Sequence, residues 1–194
     1  RYTVRDAANS GDWSKLENAS NAPLINSRQF RQYAVTFVEN HDTQTRSASE
    51  PLDPIKKDTL AANAYLLAMP GTPCVFYRHW LDHKQAIKAM IEVRRAAGIV
   101  NTSVPTIVSR EPKQYVVSVA GTKGTLLCVL GDEAENYAPD ATQYVKVLSG
   151  QHYAYFLSRS TNTLLLDKPS GEYEAAFTAK VTSVSESKQT LVYT

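Results

Sequence analysis

Two cysteines, Cys74 and Cys128, are all that the 194 residues contain. Neither belongs to a Cys-x-x-Cys pair or a Cys/His cluster, so the usual zinc-ligand spacings are excluded. They sit in the apolar stretches "TPCVFY" and "TLLCVL", and both are expected as buried free thiols on strands. A bridge would require those two strands to meet. Long apolar runs are missing as well. None approaches the ~20 residues of a membrane-spanning helix, so no membrane span is expected. Charge of one sign is not in excess. Residues 1–102 hold 13 Lys/Arg against 10 Asp/Glu, giving +3, and residues 103–194 hold 8 against 9, giving −1. Without a basic stripe in either half, nucleic acid is not an expected partner. There is no initiator Met and no signal-peptide pattern. The opening "RYTVRDAANSGDW" reads as the start of a processed or excised chain, whose missing leader says nothing of location.

What is present has the makings of a folded core. Hydrophobic residues are 43% and charged residues 21%, the proportions of a globular domain, and the length suits one moderate domain or two small ones. The character changes near residue 100. Before it, "VRDAANSGDWSKLENAS" reads as a short helix broken at Ser10-Gly11 and followed by another turn. "QYAVTFVEN" at 32–40 reads as a strand, apolar on both faces at 34–38, as a covered parallel strand would be. Asp53-Pro54 has the form of a helix start. Leu60, Ala64, Leu67 and Ala68 follow at helical spacing, and Pro70-Gly71 must end that helix. "TPCVFY" at 72–77 is a second apolar strand. A helix over 83–97 then carries Ile87, Met90, Ile91 and Ala97 on one face, with Gly98 as its C-terminal cap.

Strand–helix–strand–helix alternation implies parallel strands with helical crossovers. From 104 onward the pattern is antiparallel β. Candidate strands are "VPTIVS", "QYVVSVA", "TLLCVL", "QYVKVLS", "HYAYFLS" and "NTLLLD", with "AAFTAKV" and "QTLVYT" in the tail. Turns are expected at Gly121–Gly124 and at Ser149-Gly150-Gln151.

In parallel α/β sheets ligands gather beyond the C-terminal strand ends. Asn40, His41 and Asp42 stand there on the first strand, and Tyr77, Arg78 and His79 on the second. Taken alone, His41-Asp42 reads equally well as a helix cap or a loop hydrogen bond. Trp80 and Tyr77 could stack on a ligand ring, although packing beside the strand ends is the simpler role. Alternation puts Tyr153 and Tyr155 on one sheet face and Phe156 on the other, which favours packing over a binding platform. Asn18-Ala19-Ser20 and Asn101-Thr102-Ser103 match the glycosylation triplet, a pattern frequent by chance.

Three blocks in order carry a specific resemblance. "FVENHDT" resembles the Phe-Val-Asp-Asn-His-Asp motif of the α-amylase family of glycoside hydrolases. "MPGTPCVFYRHW" resembles the family's next strand, which in plant-type α-amylases reads very nearly Pro-Gly-Thr-Pro-Cys-Ile-Phe-Tyr. "IEVRRAAGIVNTS" resembles the helix that follows. The resemblance is close over residues 30–103 and looser elsewhere. It implies a partial (β/α) barrel, the last strand–helix units of eight, over residues 1–102. An antiparallel all-β C-terminal domain would follow over 103–194.

The function implied by the resemblance is retaining cleavage of α-1,4-glucans such as starch. That chemistry uses a nucleophilic carboxylate and an acid/base carboxyl about 5–5.5 Å apart. In the family both follow earlier strands, so they are expected upstream of Arg1 and not in this chain. By resemblance Asp42 is the third, transition-state-stabilising carboxylate. His41, Asn40 and Tyr77 are the substrate contacts. Glu39 stands where the family usually has Asp and is expected to point away from Asn40. Arg78 replaces a residue that is often acidic or Gly. The family's calcium sites lie largely in upstream segments, so no metal and no cofactor is assigned here. The expected partners are the glucan and the missing N-terminal barrel part, or further copies meeting through exposed strands. A secreted or periplasmic location goes with the family. The alternative is a carbohydrate-binding or structural module derived from such an enzyme, without catalysis.

Overall fold

The computed structural model describes residues 1–17, 23–45, 47–49, 53–168 and 171–187. The expected strand in "QTLVYT" and the triplet Asn18-Ala19-Ser20 lie outside the described residues. Helix α1 (Tyr2–Ser10) buries Val4, Ala7 and Ala8, three to four residues apart on one face. It ends at Gly11, and a 3-10 turn (Trp13–Glu17) then buries Trp13 and Leu16. The break at Ser10-Gly11 is where the sequence placed it.

Strands β1 (Val35–Thr36) and β2 (Thr72–Pro73) pair in parallel, as the alternation implied. Their length differs from expectation: only two residues of each join the ladder. Thr72 N–H donates to Ala34 O at 2.8 Å and Cys74 N–H to Thr36 O at 2.7 Å. Ala34 and Val38 are buried, but Val35 is 68% exposed, so β1 is not covered on both faces. Among the described residues β1 has a strand partner on one edge only, and nothing is packed over Val35. Gly71 makes the pairing feasible. Its φ is +89°, and a Cβ there would stand 2.9 Å from Ala34 O.

Helix α2 (Thr59–Ala68) starts six residues after Asp53. Tertiary partners hold the intervening backbone extended. Asn9 Nδ2 donates to Pro54 O, the carbonyl that a helix starting at Pro54 would have needed. Asn9 Oδ1 accepts from Lys56 N–H, and Glu39 Oε1 from Ile55 N–H. The helix is buried all round from Ala61 to Ala68, not along one stripe, because it lies between α1, helix α3 (Tyr77–Ala97) and the antiparallel sheet described below.

Helix α3 begins at Tyr77, not at 83, and His83 breaks its geometry (φ −135°, ψ 30°). "YRHWLDHK" contains no Gly, Pro or β-branched residue, and Arg78 and Asp82 pair one turn apart at 3.6 Å. The expected strand over 72–77 is therefore cut short by the helix. Cys74 lies beyond β2 and is exposed, against expectation. Gly98 caps α3 with φ +70°, its N–H donating to the last-turn carbonyls.

Five strands then form one antiparallel sheet in the order β3-β4-β5-β7-β6. They are β3 (Val104–Glu111), β4 (Gln114–Ala120), β5 (Thr125–Leu130), β6 (Tyr144–Gly150) and β7 (Tyr153–Ser158). Strands β8 (Leu164–Leu166) and β9 (Val181–Ser183) pair separately. Within "AAFTAKV", only Val181 joins a strand. Period-two alternation sorts the side chains of the large sheet. Tyr115, Val117, Cys128, Tyr153 and Tyr155 share the core with the helices. Val116, Leu127, Val129, Ala154 and Phe156 pack on the opposite face beneath Tyr137 and Tyr144. The Tyr155 hydroxyl donates to Ala64 O of α2, and the Tyr115 hydroxyl to Glu17 Oε1 at 2.7 Å. Among the described residues no helix is long and apolar enough to cross a membrane.

Candidate functional site

The chain leaves β1 through Phe37-Val38-Glu39 and turns at once. Asn40 shapes the turn. Its Oδ1 accepts from Asp42 N–H at 3.1 Å and from the Thr43 hydroxyl at 3.2 Å. Its carbonyl accepts from Thr43 N–H and Gln44 N–H, both at 3.1 Å. This is an Asx-type turn, in which a short amide side chain replaces a backbone acceptor. The loop raises His41 and Asp42 into solvent, with side chains 76% and 66% exposed and His41 Nε2 3.3 Å from Asp42 Oδ1. So exposed a pair adds little to stability, and both groups remain accessible to a ligand. Tyr77 is also exposed, at the first position of α3 and not at a strand end. Trp80 is half-buried against the core, with Lys84 above its ring.

The strongest polar arrangement lies underneath. Glu39 is 6% exposed, His79 5% and Asn63 0%. Glu39 Oε1 accepts from Ile55 N–H at 2.7 Å, and Oε2 lies 2.9 Å from His79 Nε2. Asn63 Nδ2 donates to Thr59 O at 2.8 Å and lies 3.1 Å from His79 Nδ1. The Thr59 carbonyl can only accept, so the amide nitrogen must face it. That same NH2 meets Nδ1, which therefore accepts. The imidazole proton then sits on Nε2 and is donated to the Glu39 carboxylate, a charge-assisted bond. The Phe76 ring stands edge-to-face with the imidazole at 5.3 Å.

The structure thus links the two strand ends through Glu39 and His79. The sequence reading singled out Asn40, His41, Asp42 and Tyr77 instead, placed His79 on a strand end and expected Glu39 to support the site from the opposite side of the strand. One signal did point to Glu39: it is a carboxylate at the end of an apolar run. A buried charge there must find donors. Among the described residues no group of three or more His, Cys, Asp or Glu side chains is arranged to hold a metal ion.

No protein-family model matches the chain. It is 34% identical over 127 residues to probable alpha-amylase 2 of Arabidopsis thaliana, covering 62% of this chain and 29% of that protein. It is 36% identical over 91 residues to the alpha-amylase type B isozyme of Hordeum vulgare, covering 45% of this chain and 58% of that protein. The chain is related to the α-amylases. It is also 32% identical over 131 residues to the glucan 1,4-alpha-maltotetraohydrolase of Stutzerimonas stutzeri, covering 64% of this chain and 23% of that protein. The chain therefore spans between 23% and 58% of these relatives' own length. The kinship runs through plant and bacterial glucan-cleaving enzymes.

Proposed function

We propose that residues 1–102 are the closing strand–helix units of a (β/α)8 barrel and residues 103–194 its antiparallel C-terminal domain. Together they would form part of an α-amylase-type retaining hydrolase of α-1,4-glucans. Asp42 is the carboxylate that stabilises the oxocarbenium-like transition state. With His41 it hydrogen-bonds the 2- and 3-hydroxyls of the sugar being cleaved. Asn40 holds the turn that presents them, and Tyr77 offers an aromatic edge beside it. The nucleophile and the acid/base belong to segments outside this sequence.

One observation carries this reading. The loop leaving the C-terminal end of β1, in a parallel strand pair, presents an accessible imidazole and carboxylate 3.3 Å apart on a turn shaped by Asn40. Sugar hydroxyls need such acceptors and donors, and a parallel strand end is where α/β folds keep them. The α-amylase relatives supply the substrate class.

The barrel reading also gives a use to the apolar cavity beside β1. It has a volume of about 170 Å³, and Val4, Ile25, Val35, Phe37, Leu66 and Met69 are among its lining. The other barrel strands would pack on this side. In the native protein that carries this sequence, Asp42→Asn should lower glucan hydrolysis about 10³-fold with the fold intact. Undiminished hydrolysis would sink the role of Asp42. A protein that binds maltooligosaccharides but cleaves none would support the non-catalytic module instead.

A further inference from the structure

We propose that Glu39 and His79 are positioning residues for the His41–Asp42 loop, an inference that rests on the glucan-cleaving role of Asp42. Glu39 immediately precedes Asn40, so its side chain anchors the root of the loop. The anchor has two donors from different elements. Ile55 N–H comes from the extended segment before α2, and His79 Nε2–H from the first turn of α3. His79 is itself fixed from behind by Asn63 of α2 and at its face by Phe76. The two donors hold the Glu39 carboxylate in place, and with it the point from which the loop departs.

Within residues 40–44, the hydrogen bonds of Asn40 and Thr43 set the shape of the turn. The height at which the turn begins follows the depth at which the Glu39 carboxylate is held. Removing the His79 donor alone would leave the buried Glu39 carboxylate short of a partner, so the bond contributes to stability as well as to position. Its added value is geometric, since a displacement of about 1 Å at a transition-state contact costs up to ~100-fold in rate.

The test uses the native protein that carries this sequence. His79→Gln keeps an N–H near the place of Nε2, whereas His79→Asn reaches only the place of Nδ1. The proposal expects His79→Asn to lower kcat on soluble starch about 10- to 100-fold with KM little changed, and His79→Gln to recover most of the loss. In an Asp42→Asn background, His79→Asn should cost much less than it does alone, because the carboxylate it positions is gone. Hydrogen exchange followed by mass spectrometry should show faster exchange over residues 40–44 in His79→Asn, with β4 and β5 unchanged.

A merely structural His79 predicts otherwise: a lower Tm, unchanged kcat at temperatures where the variant is folded, and full multiplication with Asp42→Asn. That result overturns the proposal. If Asp42→Asn itself leaves hydrolysis untouched, the glucan reading falls and the exchange measurement decides. Unaltered exchange over 40–44 then overturns the positioning role, and faster exchange upholds it.

Discussion

His152 and Asp58 hold each other across 94 positions of the sequence, His152 Nδ1 lying 2.7 Å from Asp58 Oδ1. They are also the two non-glycine residues with positive φ among the described residues, at +60° and +55°. His152 sits in the turn between β6 and β7, and Asp58 immediately precedes α2, so the bond ties the sheet to the helix layer. The left-handed backbone costs a non-glycine residue roughly 1–2 kcal/mol. The bond opposes that cost.

Substitutions at 152 should separate the two effects. His152→Ala loses the bond and keeps the strained backbone, whereas His152→Gly loses the bond but relieves the strain. Alanine should therefore be the less stable of the two by about 1 kcal/mol in urea unfolding. Equal stabilities would show that φ at 152 relaxes once the bond is gone.

Arg94 is the second tie. Its Nη1 donates to Leu67 O at 2.8 Å and to Met69 O at 2.6 Å, and its Nη2 to Gly71 O at 3.1 Å. One buried guanidinium closes the end of α2 and shapes the turn into β2, and desolvation lowers its pKa. Arg94→Met should leave three carbonyls short of a donor and destabilise the protein by about 3 kcal/mol or more. Arg94→Lys should recover little, because an ammonium cannot reproduce the fork. Recovery of wild-type Tm by lysine would count against the forked geometry.

Alkaline pH should unfold the protein. Burial raises the pKa values of Tyr65, Tyr115, Tyr155 and Cys128 above their ordinary values of 10.0 and 9.0. Each stays protonated in the folded state while its unfolded counterpart ionises. The folded chain then binds more protons, so stability falls as pH rises. Their contribution is complete below pH 9 and is lost upward through 10 and beyond, at up to about 1.4 kcal/mol per pH unit for each group. The tyrosinate absorbance of the buried Tyr65, Tyr115 and Tyr155 should appear together with loss of circular dichroism. Ionisation of those buried tyrosines in a protein that keeps its circular dichroism would contradict this.

The open side of β1 should make this chain self-associate when it is prepared alone. Val35 is exposed beside the apolar cavity, and an unpaired edge invites another strand. Light scattering should report species larger than a monomer. Val35→Lys should shift them toward the monomer, since a lysine on an edge opposes pairing. A clean wild-type monomer would refute it.

Local pattern carried far in the second half. Short β-rich runs between turn residues identified β4, β5 and β7 almost to the residue, and period-two alternation sorted Tyr153 and Tyr155 from Phe156 correctly. Each strand there is set by its own side chains and a nearby turn. The first half was less legible. Asp53-Pro54 has a helix start's chemistry, yet Asn9 and Glu39 take its backbone groups first. Cys74 lies in an apolar stretch, yet only its N–H joins the pairing with β1 and its side chain stays exposed.

The same division runs through the site. By itself the sequence determined that an amide, an imidazole and a carboxylate end the β1 segment, and that a parallel strand follows after a helix. Only the tertiary structure decided that Glu39, His79 and Asn63 would meet beneath that loop. They come from three elements up to 40 positions apart. Each is polar for no reason visible in its own neighbourhood. What selects them is the cost of burying one without the others, and that cost exists only once the chain has folded around them.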